Sequence, residues 1–546
     1  MKQIYRGTVL TMDRQMKRNL REKRKFPDGI LTEDGVIRQV GEFELLRKAE
    51  PAAQVTDYGK QAILPGFIDG HSHMTAAAVS RLLFQAGPSP AGRCDTPEKL
   101  VAEGKKAFEK AVLAPGQWFL GAGYDNSVFP GERHVTRQEL DQISREVPIA
   151  VTHVSGHLCA VNTKAMELLG YSGSEYAVPP GGRVLPSGIL MENAFLAPEK
   201  AKLIKGPSPA QILASLKETA AYYASFGVTT MQEARAGEAE IRLLRAADRE
   251  GLLCGDAALY LTPDAAETYL PRQYPAGNPY EGHLRMAGIK YFLDGSPQGR
   301  TAWLSEPYRR VPEGQAPDYR GAPLHSDRTV TEFFEKCLEH HWQANVHANG
   351  DAAIEQMLNC YEGAFFRTGI REPLRPVVIH CQTVRRGQLE RMRKLGMLAS
   401  FFHDHVYYWG DYHEESVLGA DRAARISPLA WAKEAGVPFT LHQDVPVAAP
   451  DMMLTVHNAV NRRTKAGRLL GKEQRISVTE ALEAVTAGGA YQIFEEDRKG
   501  TLEPGKRADF AVLERNPLEE EPEQIRRIRV THAVKDGMEI YRRQER

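Results

Sequence analysis

The chain has 546 residues, 42% of them hydrophobic and 26% charged, which is enough for several domains or for one large barrel with additions. Lys and Arg together number 70, as do Asp and Glu, and this balance argues against nucleic acid or an anionic membrane as a partner. The six cysteines are scattered without C-x-x-C pairs, which argues against a disulfide scaffold and a zinc ribbon. The amino terminus lacks a signal-peptide pattern and no apolar run could span a membrane, so a soluble, cytoplasmic protein is expected.

Both ends of the chain predict short β-strands. Near the start, strand-like runs separated by turn residues cover 3–10, 28–31 and 36–40. Near the end, similar runs cover 509–513, 528–534 and 539–541. The two ends therefore predict all-β structure.

Between these ends, short apolar runs alternate with helical periodicity, a pattern typical of parallel βα units. The predicted strands are 62–68, either 149–153 or 228–232, 257–261, 285–293, 343–347, 376–380, 398–402 and 437–442. Eight such strands predict a (β/α)8 barrel. The stretch from about 80 to 208 is too long for a βα loop and is expected to form an inserted subdomain.

The strongest indication of a functional site is the sequence Asp69-Gly-His71-Ser-His73, at the end of the first predicted barrel strand. Two histidines separated by one residue project to the same side, so both imidazoles can bind one cation at the barrel mouth. The pair is weak evidence when taken alone, because a second pair, His403 and His405, also occurs. The alternative is that these are loop histidines held only by hydrogen bonds.

Other predicted strands also end in potential metal ligands. These residues are Lys290, His347, His380 and Asp444. The carboxyl-terminal ends of the strands form the face on which barrel enzymes assemble their active sites. The series as a whole therefore predicts a metal centre at that face.

With these residues in view, the chain resembles the amidohydrolase superfamily, and most closely its long-chain, amidohydrolase 3-like branch, which includes N-substituted formamide deformylase. The matching segments are Pro65-Gly-Phe-Ile-Asp-Gly-His-Ser-His, Gly156-His157, Val161-Asn162, Gly188-Ile-Leu-Met-Glu192, Gly227-Val-Thr-Thr, Ile289-Lys290, Asp294-Gly-Ser, His347, Gly350-Asp351, His380-Cys-Gln, Asp444-Val-Pro446 and Gly500-Thr-Leu-Glu-Pro-Gly-Lys-Arg-Ala-Asp509.

The resemblance implies an α/β fold consisting of a distorted TIM (β/α)8 barrel, a small β-sandwich built from both chain termini, and an inserted subdomain. The expected boundaries are 1–64 plus 487–546 for the sandwich and 65–486 for the barrel, with the insertion at about 80–208.

The resemblance also implies a ligand set for one or two metal ions. His71 and His73 would bind one ion, His347 and His380 a second, Lys290 would bridge the two as a carbamate, and Asp444 would be both ligand and catalytic base. Imidazole and carboxylate ligands favour Zn²⁺, although Mn²⁺, Fe²⁺ and Ni²⁺ also suit them. Alternatively, Lys290 is an idle barrel lysine, His347 and His380 are core histidines, and Asp444 is a turn residue.

Substrate-binding residues are expected in the insertion and after the seventh and eighth strands. The candidates are Tyr124, His157, His403, His405, Trp409 and His442. The sequence departs from the branch at His442-Gln-Asp444, where Gly-Ser usually precedes the aspartate. By the two-residue period of a strand, His442 should face the pocket on the same side as Asp444. The aromatic run at 407–409 can instead be a packed loop that closes the barrel.

The predicted function is hydrolysis of a C–N bond in an N-substituted amide or formamide by metal-activated water, with Asp444 as general base. Two alternatives remain: hydrolysis of an ester or phosphoester at the same site, and a metal-binding barrel protein without catalysis. The expected partner is a small-molecule substrate, and a homodimer is the commonest assembly for such a protein.

Overall fold

A computed structural model describes residues 1–88, 92–173, 175–312 and 314–544. The chain divides into two compact units. The first unit comprises Met1–Thr75, Leu216–Asp294 and Trp303–Arg546, and the second comprises Ala76–Ser215 and Gly295–Ala302.

The first unit contains eight parallel strands that follow one another in chain order across a single sheet. They are β1 (Phe67–Ile68), β2 (Val228–Ala236), β3 (Asp256–Leu261), β4 (Leu284–Phe292), β5 (Ala344–Ala348), β6 (Val377–His380), β7 (Leu398–Phe401) and β8 (Phe439–Leu441). A short strand, Tyr280–Glu281, pairs with β4 in the antiparallel direction. Most strand residues are buried, as expected for parallel strands covered on both faces.

The sheet curls until its first and last strands approach each other. A Cβ atom at Gly70, just after β1, would lie 2.7 Å from Thr440 Oγ1 in β8, so only glycine fits at this position. Beyond the strands, His73 N donates to Val445 O at 2.9 Å. This closure brings the carboxyl-terminal ends of β1 and β8 to one rim, and the predicted α/β barrel is confirmed.

Helices follow the strands and cover the sheet. Those of the barrel region that lie wholly within the first unit are Glu238–Arg249, Pro263–Tyr269, Asp327–Glu339, Asp351–Thr368, Arg386–Lys394, His405–Tyr412, Ala420–Ala423, Leu429–Ala435, Met452–Asn461, Val478–Ala484 and Ala487–Gln492. Helices Met74–Arg81 and Pro209–Ser225 are divided between the two units. A π-helical turn, His413–Val417, follows directly after His405–Tyr412. The long helices bury apolar stripes against the strands and expose charged faces.

Strands from the two chain ends form a second sheet in the first unit. Its seven strands are, in spatial order, Met538–Arg542, Val530–Lys535, Phe510–Leu513, Gln54–Pro65, Lys2–Val9, Gly29–Glu33 and Val36–Gly41. Helices Arg14–Arg21 and Phe43–Ala49 lie in its connections. The sheet therefore joins residues from both termini, while the domain boundaries given above stay a prediction.

Two strand predictions for the barrel are decided by the structure. The predicted strand 62–68 is divided at Gly66, whose N–H donates to Asp509 O in the terminal sheet, whereas Phe67 N donates to Gly227 O beside β2. The expectation of one continuous barrel strand was therefore wrong, because only residues 67 and 68 belong to the barrel. Of the two candidates for the second strand, 228–232 lies in β2 and 149–153 lies in the second unit.

The second unit is built around a six-stranded sheet. Its strands are, in spatial order, Arg183–Val184, Ile189–Met191, Leu158–Val161, Ile149–His153, Phe119–Tyr124 and Phe84–Gln85. Its helices include Pro97–Lys110, Arg137–Leu140, Thr163–Leu168, Asn193–Leu196 and Pro198–Ala201. Apolar side chains from helix Pro97–Lys110 pack on one core of this sheet. Among the described residues of the whole chain, no helix is both long and apolar enough to cross a membrane.

Candidate metal centre

The loop after β1 carries two histidines to the rim of the barrel. His71 is fully buried, whereas the side chain of His73 is 24% exposed. The His71 N–H donates to Asp69 Oδ1 at 3.3 Å, which fixes the turn that follows β1. The two imidazole rings lie 5.1 Å apart.

Asp444 reaches the same point from the end of β8. Its Oδ1 atom lies 3.6 Å from His71 Nε2 and 3.4 Å from His73 Nε2, and these three side chains form a group able to hold a metal ion. Burial acts to raise the pKa of Asp444, but the neighbouring His73, together with His442 and Lys290, outweighs burial and lowers the pKa to about 2. Asp444 is therefore a carboxylate at neutral pH.

Lys290 lies near the end of β4 and is 1% exposed. Its Nζ atom is 3.2 Å from His71 Nε2. Burial lowers the pKa of Lys290 to about 7, although the nearby Asp444 acts in the opposite direction. A large neutral fraction of this amine is therefore available near pH 7.

His347 of β5 and His380 of β6 form a second pair of ligand atoms. His347 Nδ1 and His380 Nε2 face each other at 3.1 Å, and both residues are almost completely buried. The His380 ring is 5.5 Å from the His71 ring, which joins this pair to the first group. Burial, and then the neighbouring His347 and His442, hold the pKa of His380 well below its usual range.

His442 completes this group from the residue after β8. Its Nε2 atom lies 3.2 Å from His380 Nδ1, and its Nδ1 atom lies 2.8 Å from Ser400 Oγ. We call the set of seven side chains the histidine centre. Its members are His71, His73, Lys290, His347, His380, His442 and Asp444.

Polar residues without a role in the sequence-based prediction support the centre. Asn349 Nδ2 is 3.1 Å from His347 Nε2. The fully buried Asp294 accepts hydrogen bonds from the backbone N–H groups of Asn349, Gly350 and Trp303 at 2.8–3.0 Å. The sequence offered one signal for Asn349, since it follows His347 by two residues, but none indicated Ser400.

The nitrogen and oxygen atoms of the histidine centre are better suited to binding a cation than to forming hydrogen bonds with one another. Among the described residues, the buried Asp444 Oδ1 has no hydrogen-bond partner although it lies 3.4 Å from His73 Nε2 and 3.6 Å from His71 Nε2. Buried polar atoms normally have partners, and such exceptions require an explanation. Imidazole nitrogens and a carboxylate are ligands that Zn²⁺ and related ions prefer. The centre therefore satisfies the chemical requirements of a divalent metal site.

Three predicted substrate-binding residues lie on the segment after β7. His403 Nε2 is 3.3 Å from Asn458 O, and His405 Nδ1 is 3.1 Å from His413 Nε2. The Trp409 ring is 4.8 Å from the His405 ring. Phe402 joins this segment to the centre, because its ring lies 4.6 Å from His405 and 5.5 Å from His442.

The other two predicted substrate-binding residues belong to the second unit. The buried Tyr124 hydroxyl is 3.1 Å from His134 Nδ1, and His157 Nδ1 lies 3.1 Å from both carboxylate oxygens of Glu192. Burial lowers the pKa of His134 to about 3. Their contact with substrate stays a prediction.

Comparison with known proteins agrees with this architecture. The model of the amidohydrolase family matches residues 54–541, and the chain therefore belongs to this family. The resemblance inferred from the sequence is confirmed.

Individual relatives match most of the chain at low sequence identity. The chain is 24% identical to the putative amidohydrolase YtcJ of Bacillus subtilis, over 94% of this chain and 96% of the relative. It is 25% identical to N-substituted formamide deformylase of Arthrobacter pascens, over 94% and 95% of the two chains. A crystal structure described as an uncharacterized metal-dependent hydrolase from Pyrococcus furiosus aligns with a TM-score of 0.71 and 25% identity, covering 95% of this chain and all of that one.

Proposed function

We propose that the protein is a metal-dependent amidohydrolase that cleaves a C–N bond in an N-substituted amide or formamide. The observation that carries this proposal is the convergence of His71, His73 and Asp444, whose ligand atoms lie within 4.8 Å of one another. Membership of the amidohydrolase family and likeness to a metal-dependent hydrolase support a metal cofactor.

Two groups of side chains would hold the metal. His71, His73 and Asp444 form the first, and His347 with His380 forms the second, with 3.1 Å between its facing nitrogens. Lys290 lies against His71 at 3.2 Å. Addition of carbon dioxide to its neutral amine, with release of one proton from the nitrogen to solvent, would give an anionic carbamate able to bind two cations. Zn²⁺ is the ion that we propose for the centre.

A divalent cation in such a site supplies Lewis-acid chemistry, because it lowers the pKa of water and polarises a carbonyl oxygen. Asp444 supplies the base. With a pKa of about 2, it is ionised at neutral pH and can accept a proton from the attacking water at Oδ2, the carboxylate oxygen that is not grouped with the histidine nitrogens. The same carboxyl group then returns that proton to the nitrogen of the leaving amine.

The segment after β7 is proposed to bind the substituent of the amide nitrogen. Tyr407, Tyr408 and Trp409 are adjacent in the chain, and the rings of neighbouring residues lie 5.0 and 5.5 Å apart. An apolar substituent can stack on such rings. The likeness to N-substituted formamide deformylase supports an amide of this kind as substrate.

The proposal is tested by metal analysis of the purified protein combined with an activity panel. We expect metal-loaded protein to hydrolyse N-substituted formamides and chelated protein to be inactive until Zn²⁺ is returned. Preparation with and without bicarbonate tests the carbamate, since Lys290→Ala should lower metal stoichiometry only if the bridge exists. Ester and phosphoester substrates in the same panel test the alternative chemistry, and a metal-free protein without hydrolytic activity would overturn the proposal.

A further inference from the structure

We infer that His442 is a positioning residue that orients the metal ligand His380, and that it does not contact substrate. This inference rests on the proposed function. His442 is fully buried, and protein groups lie within hydrogen-bond distance of both its ring nitrogens. A side chain in this position has no nitrogen left for a substrate carbonyl.

The direction of the hydrogen bonds follows from the chemistry of metal binding. A neutral histidine that binds a cation through one nitrogen carries its proton on the other. His380 Nε2 faces His347 Nδ1, so His380 must carry its proton on Nδ1. That N–H donates to His442 Nε2, and His442 then donates from Nδ1 to Ser400 Oγ.

Ser400 anchors this chain of hydrogen bonds to two strands. It lies on β7, and its hydroxyl is 2.9 Å from Thr440 Oγ1 on β8, two residues before His442. The Thr440 hydroxyl also lies 2.6 Å from Gln492 Oε1. The orientation of His380 is therefore fixed by hydrogen-bonded residues that do not themselves bind the metal, as is common in metal sites.

The experiment measures metal affinity directly, by competition of Zn²⁺ between the protein and a chromophoric chelator. Loss of such an outer hydrogen bond typically weakens metal binding by about 10- to 100-fold. We expect His442→Ala to show a loss of this size, His442→Gln to recover part of it, and Ser400→Ala to show a smaller loss. Co²⁺ loading should also give an altered visible absorption spectrum in His442→Ala.

His153→Ala is the matched control, because His153 is also buried with both nitrogens hydrogen-bonded, at 2.9 and 3.0 Å, to Ser155 and Asn126. Its metal affinity should equal that of the wild-type protein. Unchanged affinity in a folded His442→Ala would overturn the inference, as would a raised KM with unchanged kcat. If His442→Ala does not fold, Ser400→Ala and His442→Gln decide the question. A wild-type protein that binds no metal would instead refute the proposed function.

A different observation concerns Arg235, a cationic side chain at the same rim. Arg235 lies near the end of β2 with φ +82, and the pairing of β2 with β3 shifts register between Ala234 and Ala236. Such a bulge redirects a side chain and is common beside active sites. The guanidinium carbon lies 6.0 Å from the centre of the Phe292 ring, which is 4.9 Å from Lys290 Nζ and 5.3 Å from the His347 ring.

We propose that Arg235 binds an anionic group, a carboxylate, of the amide substrate. The side chain is exposed, and within the described part of the chain it has no ion pair with an acidic residue. A guanidinium group offers several N–H donors in a geometry that matches a carboxylate. This proposal also rests on the proposed function and specifies its substrate class, an amide that carries a carboxylate.

The test uses pairs of amides in which one member carries a carboxylate that the other lacks. N-formylphenylalanine and N-formylphenethylamine place the carboxylate on the amine part, whereas N-phenethylsuccinamic acid and N-phenethylbutanamide place it on the acyl part. We expect at least a tenfold preference in kcat/KM for the acid of one pair. Arg235→Gln should abolish that preference by raising KM for the acid, with the neutral amide unaffected. Arg249→Gln, at the exposed end of helix Glu238–Arg249, is the matched control and should keep the preference.

Calorimetry of the same four compounds with Zn²⁺-loaded protein tests the role of Arg235 separately from the proposed amide hydrolysis. Preferential binding of an acid without hydrolysis would retain the role of Arg235 and refute amide hydrolysis. Equal binding of acid and neutral compounds, or an acid preference that survives in Arg235→Gln, would overturn the assignment of Arg235.

Discussion

Two regions of the first unit contain buried ionisable side chains, and the two regions differ in how those side chains are paired. One region, the paired cluster, consists of Asp256, Glu495, Lys499, Asp509 and Lys535, and the other is the histidine centre. In the paired cluster, Lys499 Nζ lies 2.6 Å from Asp256 and 3.2 Å from Glu495, and Lys535 Nζ lies 3.2 Å from Asp256 and 3.3 Å from Asp509. Each charge in this cluster therefore has an opposite charge beside it.

The histidine centre instead places five imidazoles and one amine around a single carboxylate, that of Asp444. Burial lowers the pKa values of His71, His380 and His442, and it is also the chief cause that lowers the pKa of Lys290 to about 7. By contrast, the pKa of Lys499 is raised well above its usual value, because Asp256 and other anionic groups outweigh burial. The comparison separates a network in which opposite charges lie side by side from a site whose grouped nitrogen and carboxylate atoms can bind a cation.

The largest effect is expected for Asp444→Asn. This change removes the proposed base and the only carboxylate of the histidine centre, and general-base catalysis alone typically contributes about 10²- to 10⁴-fold. We expect kcat/KM to fall by at least that factor, measured with the best formamide of the panel. Asp451→Asn is the matched control, because Asn also caps the helix that begins at Met452. Full activity in Asp444→Asn would contradict the role of the base.

A large loss of stability is expected when the paired cluster is broken. Lys499→Met removes the cation nearest to both Asp256 and Glu495, and breaking a buried ion pair in this way typically costs about 3–5 kcal/mol of unfolding free energy. Denaturant unfolding measures this loss, and metal affinity should be unchanged. Lys17→Met, which removes a half-exposed ion pair with Glu483, should cost less than about 1 kcal/mol. Equal losses in the two variants would refute the distinction between buried and exposed pairs.

Metal binding should stabilise the folded protein through the histidine centre. A ligand at 100 times its Kd adds about 2.7 kcal/mol to the unfolding free energy. We expect Zn²⁺ to raise the Tm of the chelated wild-type protein and to have a much smaller effect on the double variant His71→Ala/His73→Ala. An identical Tm shift in both proteins would mean that the metal binds elsewhere.

The last predicted effect is a change in the slope of the pH dependence of the metal-free protein, which is the smallest of these effects per pH unit. Burial lowers the pKa of His413 to about 3, so between pH 6.5 and about 3 the unfolded chain holds a proton that the folded protein lacks. This residue therefore makes the free energy of unfolding decrease as pH falls, by about 1.4 kcal/mol per pH unit. His413→Asn should reduce the slope by that amount in denaturant titrations, whereas parallel curves for the two proteins would contradict the prediction.

The sequence predicted much of the barrel because local patterns carry that information. Apolar runs such as 343–347 and 376–380 correspond to β5 and β6, and each ends at a histidine that faces the centre. The error at residues 62–68 has a clear cause. Alternation of side chains identifies a strand but not the sheet that it joins, and the division at Gly66 depends on distant residues 227 and 509.

The local sequence determined which residue types stand at the strand ends and hence which chemistry the rim can support. Only the tertiary structure decided the relations among them: that His442 lies between His380 and Ser400, that Asn349 contacts His347, and that Arg235 lies beside Phe292. The physical reason is that strand periodicity fixes the side on which a residue projects, whereas its neighbours on that side come from strands up to hundreds of residues away.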